Sequence, residues 1–331
     1  MLNRRDFLRA SAAGAFLLGN ALPLPAEDKN KLPQRVFGKT NVKVPILGLG
    51  TVAVGNLKDE KQAVALLNKA IDLGVTYIDT APPRTRQALA TGYAKAHEYL
   101  KGVLKERRKE VFIATKCLET DGEKTIELLK KNLEELGIEQ TDLAYAHSIG
   151  HAVYEFDALV GDKGPMAMLE KAKKDGLTRF VGITGHNRTE KFAQVIAKRD
   201  IDAMMNAVNI VDRHVYGFED VVWVEARKKN IGLAAMKVFG GGIDKCLMPA
   251  ELREASFRFA QSVKGVTLTV IGMGSEKELE QNVEWAKTFK PMTAEEADEL
   301  KKKTVALAKE WGPHLDKLDP KGEKERPLRN T

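Results

Sequence analysis

The chain of 331 residues is poor in cysteine, with only Cys117 and Cys246, and in aromatics, at 6%. Two thiols exclude a disulfide-stapled scaffold and any cysteine-rich metal or iron–sulfur site. Long hydrophobic runs are missing too. The stretch from Ala10 to Leu24 is broken by Gly14 and Gly19 and falls short of the ~18 residues that a spanning helix takes. A G-x-G-x-x-G turn with an acid some way downstream is also absent, which argues against a doubly wound dinucleotide sheet. The net charge of +7 looks at first like a nucleic-acid signature. However, no aromatic residues interleave with the basic runs at 105–109 and 301–303, as single-strand binding requires. Those runs read as solvated helix ends and faces. What remains, 43% hydrophobic and 30% charged, is the balance of a globular protein.

Residues 1–26 stand apart from the rest. Arg4-Arg5-Asp6-Phe7-Leu8 followed by the apolar stretch and a small residue at Ala26 form a charged region, a short hydrophobic region and a cleavage-type end. The paired arginines resemble the twin-arginine type of export signal, which carries proteins already folded. The implied destination is the periplasm and the implied partner is the twin-arginine machinery. This segment carries two of the seven net positive charges. Residues 27–33 read as a linker.

Arg35-Val36-Phe37 and Val42-Lys43-Val44 flank Gly38-Lys39-Thr40-Asn41, a hairpin signal. Eight short apolar runs follow, at 44–50, 75–79, 111–115, 142–146, 180–184, 203–210, 232–238 and 267–272. They lack strict alternation, as strands buried on both faces do. Amphipathic segments lie between them: Lys61 to Leu73, Lys124 to Leu136, Met166 to Asp175 and Phe218 to Lys229. Gly74, Gly137, Gly176 and Gly232 are read as their C-terminal caps. Eight strand–helix units over roughly 245 residues predict an α/β fold, an eight-stranded (β/α) TIM barrel, with an N-terminal β-hairpin and a C-terminal helix. The barrel is assigned to 34–312 and a loosely ordered polar tail to 313–331.

In such a barrel the site lies at the carboxyl ends of the strands. Asp79, Lys116 and His147 end the second, third and fourth strands and converge on one mouth. A lysine beside an aspartate keeps its charge and lowers the pKa of a nearby phenol, making it a proton donor to a carbonyl oxygen. Tyr93, at the start of the next helix, is the candidate phenol, with Tyr99 a poorer one. His147 is placed to orient the same oxygen. His151, His186 and His214 with Asp212 fit no zinc spacing, and no metal is expected. Cys117 is read as a core thiol.

RVFGKTNVKVPILGLGT (35–51), IDTA (78–81), YAKAHEYLKGVL (93–104), VFIATK (111–116), DLAYAH (142–147), GITGHN (182–187), MKVFGGG (236–242) and VIGMGSEKELEQN (270–282) resemble, in this order, the aldo-keto reductases. The resemblance implies a tetrad of Asp79, Tyr93, Lys116 and His147. It also implies hydride transfer between a nicotinamide dinucleotide, NADP or NAD, and a small carbonyl or alcohol. Cofactor contacts would fall on Thr51, Thr184, His186, Asn187, Asn206, Met236, Lys237, Gly240, Gly272, Ser275 and Asn282. This chain departs from the family at several points, among them Gly185 in place of the asparagine beside Thr184 and Met236 where many members stack a tyrosine. The interval between Asp79 and Tyr93 is longer, and its extra residues bring Arg84 and Arg86 near the mouth, either to meet an anionic substrate or as a solvated loop. Asn206 stands for the family's glutamine. Gly272 and Glu278 replace its phosphate-clamping lysine and arginine; Glu278 would repel a phosphate, whereas Ser275 and Lys277 remain able to bind one.

Outside the cytoplasm free dinucleotide is scarce, so an exported enzyme of this kind would hold its cofactor tightly. The competing reading is a non-catalytic nucleotide-binding or redox-sensing relative, and the long Asp79–Tyr93 loop favours it. A monomer or small homo-oligomer is expected.

Overall fold

Alternation within each strand sorts the side chains into two cores. A computed structural model describes residues 31–84, 91–241 and 246–315; the export signal, most of the linker, Arg86 and the tail beyond 315 lie outside these. The first antiparallel pair is β1 (Gln34–Val36) and β2 (Lys43–Pro45). Eight parallel strands follow: β3 (Leu47–Gly50), β4 (Tyr77–Asp79), β5 (Phe112–Cys117), β6 (Thr141–Ala146), β7 (Thr178–Gly185), β8 (Ala203–Ala207), β9 (Gly232–Met236) and β10 (Val266–Gly272). They pair in chain order, and β10 closes on β3. The eight-stranded barrel expected from the spacing is therefore the fold.

Phe37, below the barrel, begins an inner core that includes Tyr77, Phe112, Leu143, Tyr145, Met205 and Leu268. Tyr77 stacks on Phe112 with ring centroids 5.1 Å apart, and Phe112 stacks on Phe180. The intervening residues, such as Ile78, Ile113 and Met204, face the helices in a second, larger core. Helices at Glu60–Asp72, Gly122–Leu136, Pro165–Lys174 and Phe218–Lys228 match the amphipathic segments. The last helix, Ala294–Trp311, opens with a Thr293–Glu296 capping box.

Three local expectations change. Gly232 is the first residue of β9 rather than a helix cap; the left-handed residue after that helix is Asn230. The linker reading fails for its described end, because Leu32 is buried and the Pro33 carbonyl accepts from Ile46 N–H. The start of the assigned tail is likewise ordered. His314 Nε2 lies 2.8 Å from Asp212 Oδ1, and Leu315 is buried.

Candidate active site

Strand pleating builds the site. Tyr77, Ala114 and Tyr145 face the barrel interior, and two residues further on the period-2 alternation returns Asp79, Lys116 and His147 to the same face. Parallel register then sets Asp79 beside Ala114, and Lys116 beside Tyr145. The Lys116 ammonium donates to Asp79 Oδ2 at 2.5 Å, to the Tyr93 hydroxyl at 2.8 Å and to the Thr80 carbonyl at 2.9 Å. These bonds use all three of its hydrogens. The Tyr93 hydroxyl in turn points to Asp79 Oδ2 at 3.4 Å. His147 Nδ1 lies 2.9 Å from Thr184 Oγ1, which fixes the ring.

Tyr93 does not sit in the helix. It lies on the turn before Ala96–Arg107, where Ala94 has a positive φ. Two contacts explain how it reaches Lys116 despite the longer interval. The extra segment closes at its base, since Thr91 donates through its amide to Pro83 O and through its hydroxyl to Pro82 O. On the other side, Gly55 lies so close that a Cβ there would be 2.1 Å from the Tyr93 carbonyl. Asn56 Nδ2 also holds Gly92 O at 2.7 Å. The bonds of Thr91 to Pro82 and Pro83 bring the two described ends of the longer interval together, so the spacing does not displace the phenol. Arg84, at the insert's near end, is exposed.

The electrostatics differ from the expectation in one respect. Burial pushes the Tyr93 phenol well above its ordinary value of 10.0, and the Asp79 carboxylate adds to this. The anticipated lowering by Lys116 is not found. Burial also lowers Lys116 against the opposing pull of Asp79, and raises Asp79 against that of Lys116. As it stands, Tyr93 is a phenol that keeps its proton.

Beside the tetrad opens a cavity of about 370 Å³, lined by Asp79, Tyr93, Met236, Lys237, Gly240, Gly272 and Glu278, with apolar walls from Val52, Ala53, Val270 and Ile271. Of the residues proposed to hold a cofactor, Met236, Lys237, Gly240 and Gly272 therefore share one cavity with Asp79 and Tyr93. The rest do not line it. Thr51 is buried and bonds the Asp79 carbonyl, while Thr184 holds His147 and accepts from Ser148 N–H. Asn206 falls on the helix-facing side of β8, as the alternation with Met205 requires, and takes the Trp223 indole N–H at 2.9 Å. The His186 ring lies edge-on to His147, and Asn187 is buried with an unpaired Oδ1. Ser275 caps the helix Glu276–Lys287, and Asn282 lies in that helix.

Tyr99 turns away to bond Leu57 O. Cys117 is in the outer core, and burial raises its thiol. Among the described residues no group of three or more His, Cys, Asp or Glu is arranged to hold a metal, and no helix is long and apolar enough to cross a membrane. The sequence reading missed Phe239 and Cys246, which line the cavity, and Trp311, whose ring lies against Gly240. No local pattern marks them, because each is brought to the mouth by a loop or by the last helix.

The model of the aldo/keto reductase family matches residues 46–245. The L-galactose dehydrogenase of Arabidopsis thaliana is 30% identical over 168 residues, which are 47% of this chain and 49% of that protein. The chain spans from 49% to 61% of the length of this and two further curated relatives. Among solved structures, the holo form of an aldo-keto reductase from Bacillus halodurans superposes with a TM-score of 0.65 at 20% identity, covering 82% of this chain and 96% of that one. An aldo-keto reductase from Klebsiella pneumoniae in complex with NADPH gives 0.65 at 18% identity, covering 83% and 95%. At these identities the two structures speak for the fold.

Proposed function

Because the chain belongs to the aldo/keto reductase family, we propose that Tyr93 is the general acid of a carbonyl reduction, which in the reverse direction is an alcohol oxidation. The single observation that carries this is the three-way contact of Tyr93, Lys116 and Asp79 at the wall of an open cavity. When a substrate oxygen reaches the phenol and its carbon accepts hydride, the growing negative charge on oxygen draws the Tyr93 proton. The Lys116 ammonium, already donating to that hydroxyl, then stabilises the phenolate left behind. Asp79 keeps the ammonium charged and aimed. His147, fixed by Thr184, orients the substrate oxygen.

The cavity fits a nicotinamide dinucleotide. Met236 and Ile271 offer apolar contact to a flat ring, Gly272 leaves the backbone open to close approach, and Lys237 supplies a cation for a phosphate. When bound, the dinucleotide supplies or removes the hydride.

The reading is tested by hydride transfer to a panel of small aldehydes, ketones and sugars, with dinucleotide binding measured alongside. Tyr93→Phe should cost on the order of 10²–10⁴ in rate while leaving binding in place. Unchanged turnover in that variant would remove Tyr93 from the acid role. Binding without turnover in the unaltered protein would favour a nucleotide-binding relative.

Export to the periplasm through the twin-arginine route is part of the same proposal, supported by Arg4-Arg5 and the apolar stretch that follows. A protein exported folded arrives with its cofactor, which calls for tight retention. Changing both arginines to lysine should hold the chain in the cytoplasm, and an unaltered periplasmic fraction would refute the route.

A further inference from the structure

One wall of the cavity is formed by Gly272, Ala53 and Glu278, with Ala53 packed beside Gly272 and Gly274. Here β10 turns into the helix Glu276–Lys287. A turn of this kind ordinarily attracts anions, because its amides point outward and the helix dipole is positive there. In this chain those donors are already engaged. The Gly274 N–H donates to Glu278 Oε2 at 2.8 Å, and the Glu278 N–H donates to Ser275 Oγ at 3.3 Å.

The charge balance runs the same way. The helix begins with Glu276, Glu278 and Glu280, and Lys69 pairs with the first and the last. Glu278 forms no ion pair among the described residues, so its carboxylate is held at the cavity rim by one amide with acceptor capacity to spare. One turn along, the buried Asn282 amide gives its Nδ2 to the Glu278 carbonyl, and its Oδ1 has no partner. Of the two, Glu278 is the one that lines the cavity, and its carboxylate asks for a donor. A hydroxyl-bearing sugar satisfies that demand, whereas a phosphate, which only accepts and carries charge of the same sign, does not.

Resting on the function proposed above, we infer that Glu278 selects the unphosphorylated dinucleotide. Its carboxylate accepts from the 2′-hydroxyl of the adenosine ribose and repels a 2′-phosphate. This is the device by which an acidic side chain distinguishes NAD from NADP in doubly wound folds, reached here from a barrel's last strand–helix turn. Lys277, in the same first turn, is exposed and does not line the cavity.

The test is titration of the purified full-length protein with NADH and with NADPH, followed by calorimetry or tryptophan quenching rather than by turnover. NADH should bind at least about tenfold more tightly at low ionic strength, and the ratio should shrink as salt screens the exposed carboxylate. Glu278→Gln, which retains an acceptor for the Gly274 amide, should tighten NADPH and bring the two affinities together. Glu278→Ala serves as the second variant, with melting temperature as the check on folding. Equal affinities in the unaltered protein, a preference for NADPH, or a ratio that neither variant moves would overturn the role of Glu278 and leave the oxidoreductase reading intact. Binding of neither dinucleotide by folded protein would overturn both.

Discussion

The Lys116 ammonium lies 2.8 Å from the Tyr93 hydroxyl oxygen and 4.8 Å from the centroid of the same ring, so one cation serves both the oxygen and the face of the phenol. A group buried this deeply depends on its charge. Burial lowers Lys116 from the ordinary 10.5 and moves Tyr93 well above 10.0. Reduction needs the ammonium charged and the phenol protonated. As pH rises, the lysine is therefore the first of the two to fail. The alkaline limb of the reduction rate should fall below pH 10.5, with the phenol still protonated by ultraviolet difference spectroscopy. A limb that coincides with phenolate absorbance would assign it to Tyr93 instead.

Gly55 leaves the room into which the turn carrying Tyr93 fits, with the Lys95 N–H donating to the Gly55 carbonyl at 3.1 Å. A methyl group at that position would press on backbone, which cannot swing aside. Gly55→Ala should lower kcat by about tenfold or more through displacement of the phenol, with a smaller effect on dinucleotide affinity. Loss of affinity and rate in equal measure would point to general damage, which circular dichroism would reveal.

The two thiols differ in access. Cys246 is exposed at the cavity mouth, while Cys117 is buried and its thiol is raised by burial and by the nearby Glu119. Under native conditions a maleimide should label one site per chain, at Cys246, and a dinucleotide in the cavity should slow the reaction. Labelling of Cys117 at a comparable rate would contradict the closed outer core.

His97 and Glu135 join two outer helices, with Nδ1 and Oε2 2.7 Å apart. The bond to His97 holds the Glu135 carboxyl below its ordinary 4.5. A carboxylate lowered in the folded state contributes stability that is complete above its unfolded value and is lost as pH falls through the folded one. Glu135→Gln should therefore melt lower than the unaltered protein at about pH 6, and the difference should close near about pH 3. A gap that persists in acid would mean that packing, not charge, carries the contribution.

Much of this site was legible in the sequence, because a parallel barrel converts strand ends into one mouth and a period of two converts Tyr77, Ala114 and Tyr145 into Asp79, Lys116 and His147. The same alternation, followed two strands further to β8, would have turned Asn206 toward Trp223. The longer interval before Tyr93 argued against the phenol only while the hydrogen bonds of Thr91 at the base of the insert were out of view. Trp311 on Gly240 and His314 on Asp212 could not be read at all. Each pair joins the end of the helix Ala294–Trp311, or the residues just after it, to a distant part of the chain, and no local rule encodes the meeting.

The barrel closes where β10 meets β3, with Thr269 N–H bonded to the carbonyl of Ile46, 223 positions away in the chain. At the top of the same seam Gly50 is paired with Gly272, and both line the cavity. A growing polypeptide thus has no binding site until its final strand has been made and has found the first, and contacts of such separation are slow to form. Once the seam is shut, any ligand lodged across it resists its reopening in proportion to affinity and concentration. Occupancy would then act as the clasp of the barrel as well as its reagent, and a chain shortened by one strand would lose both in a single cut.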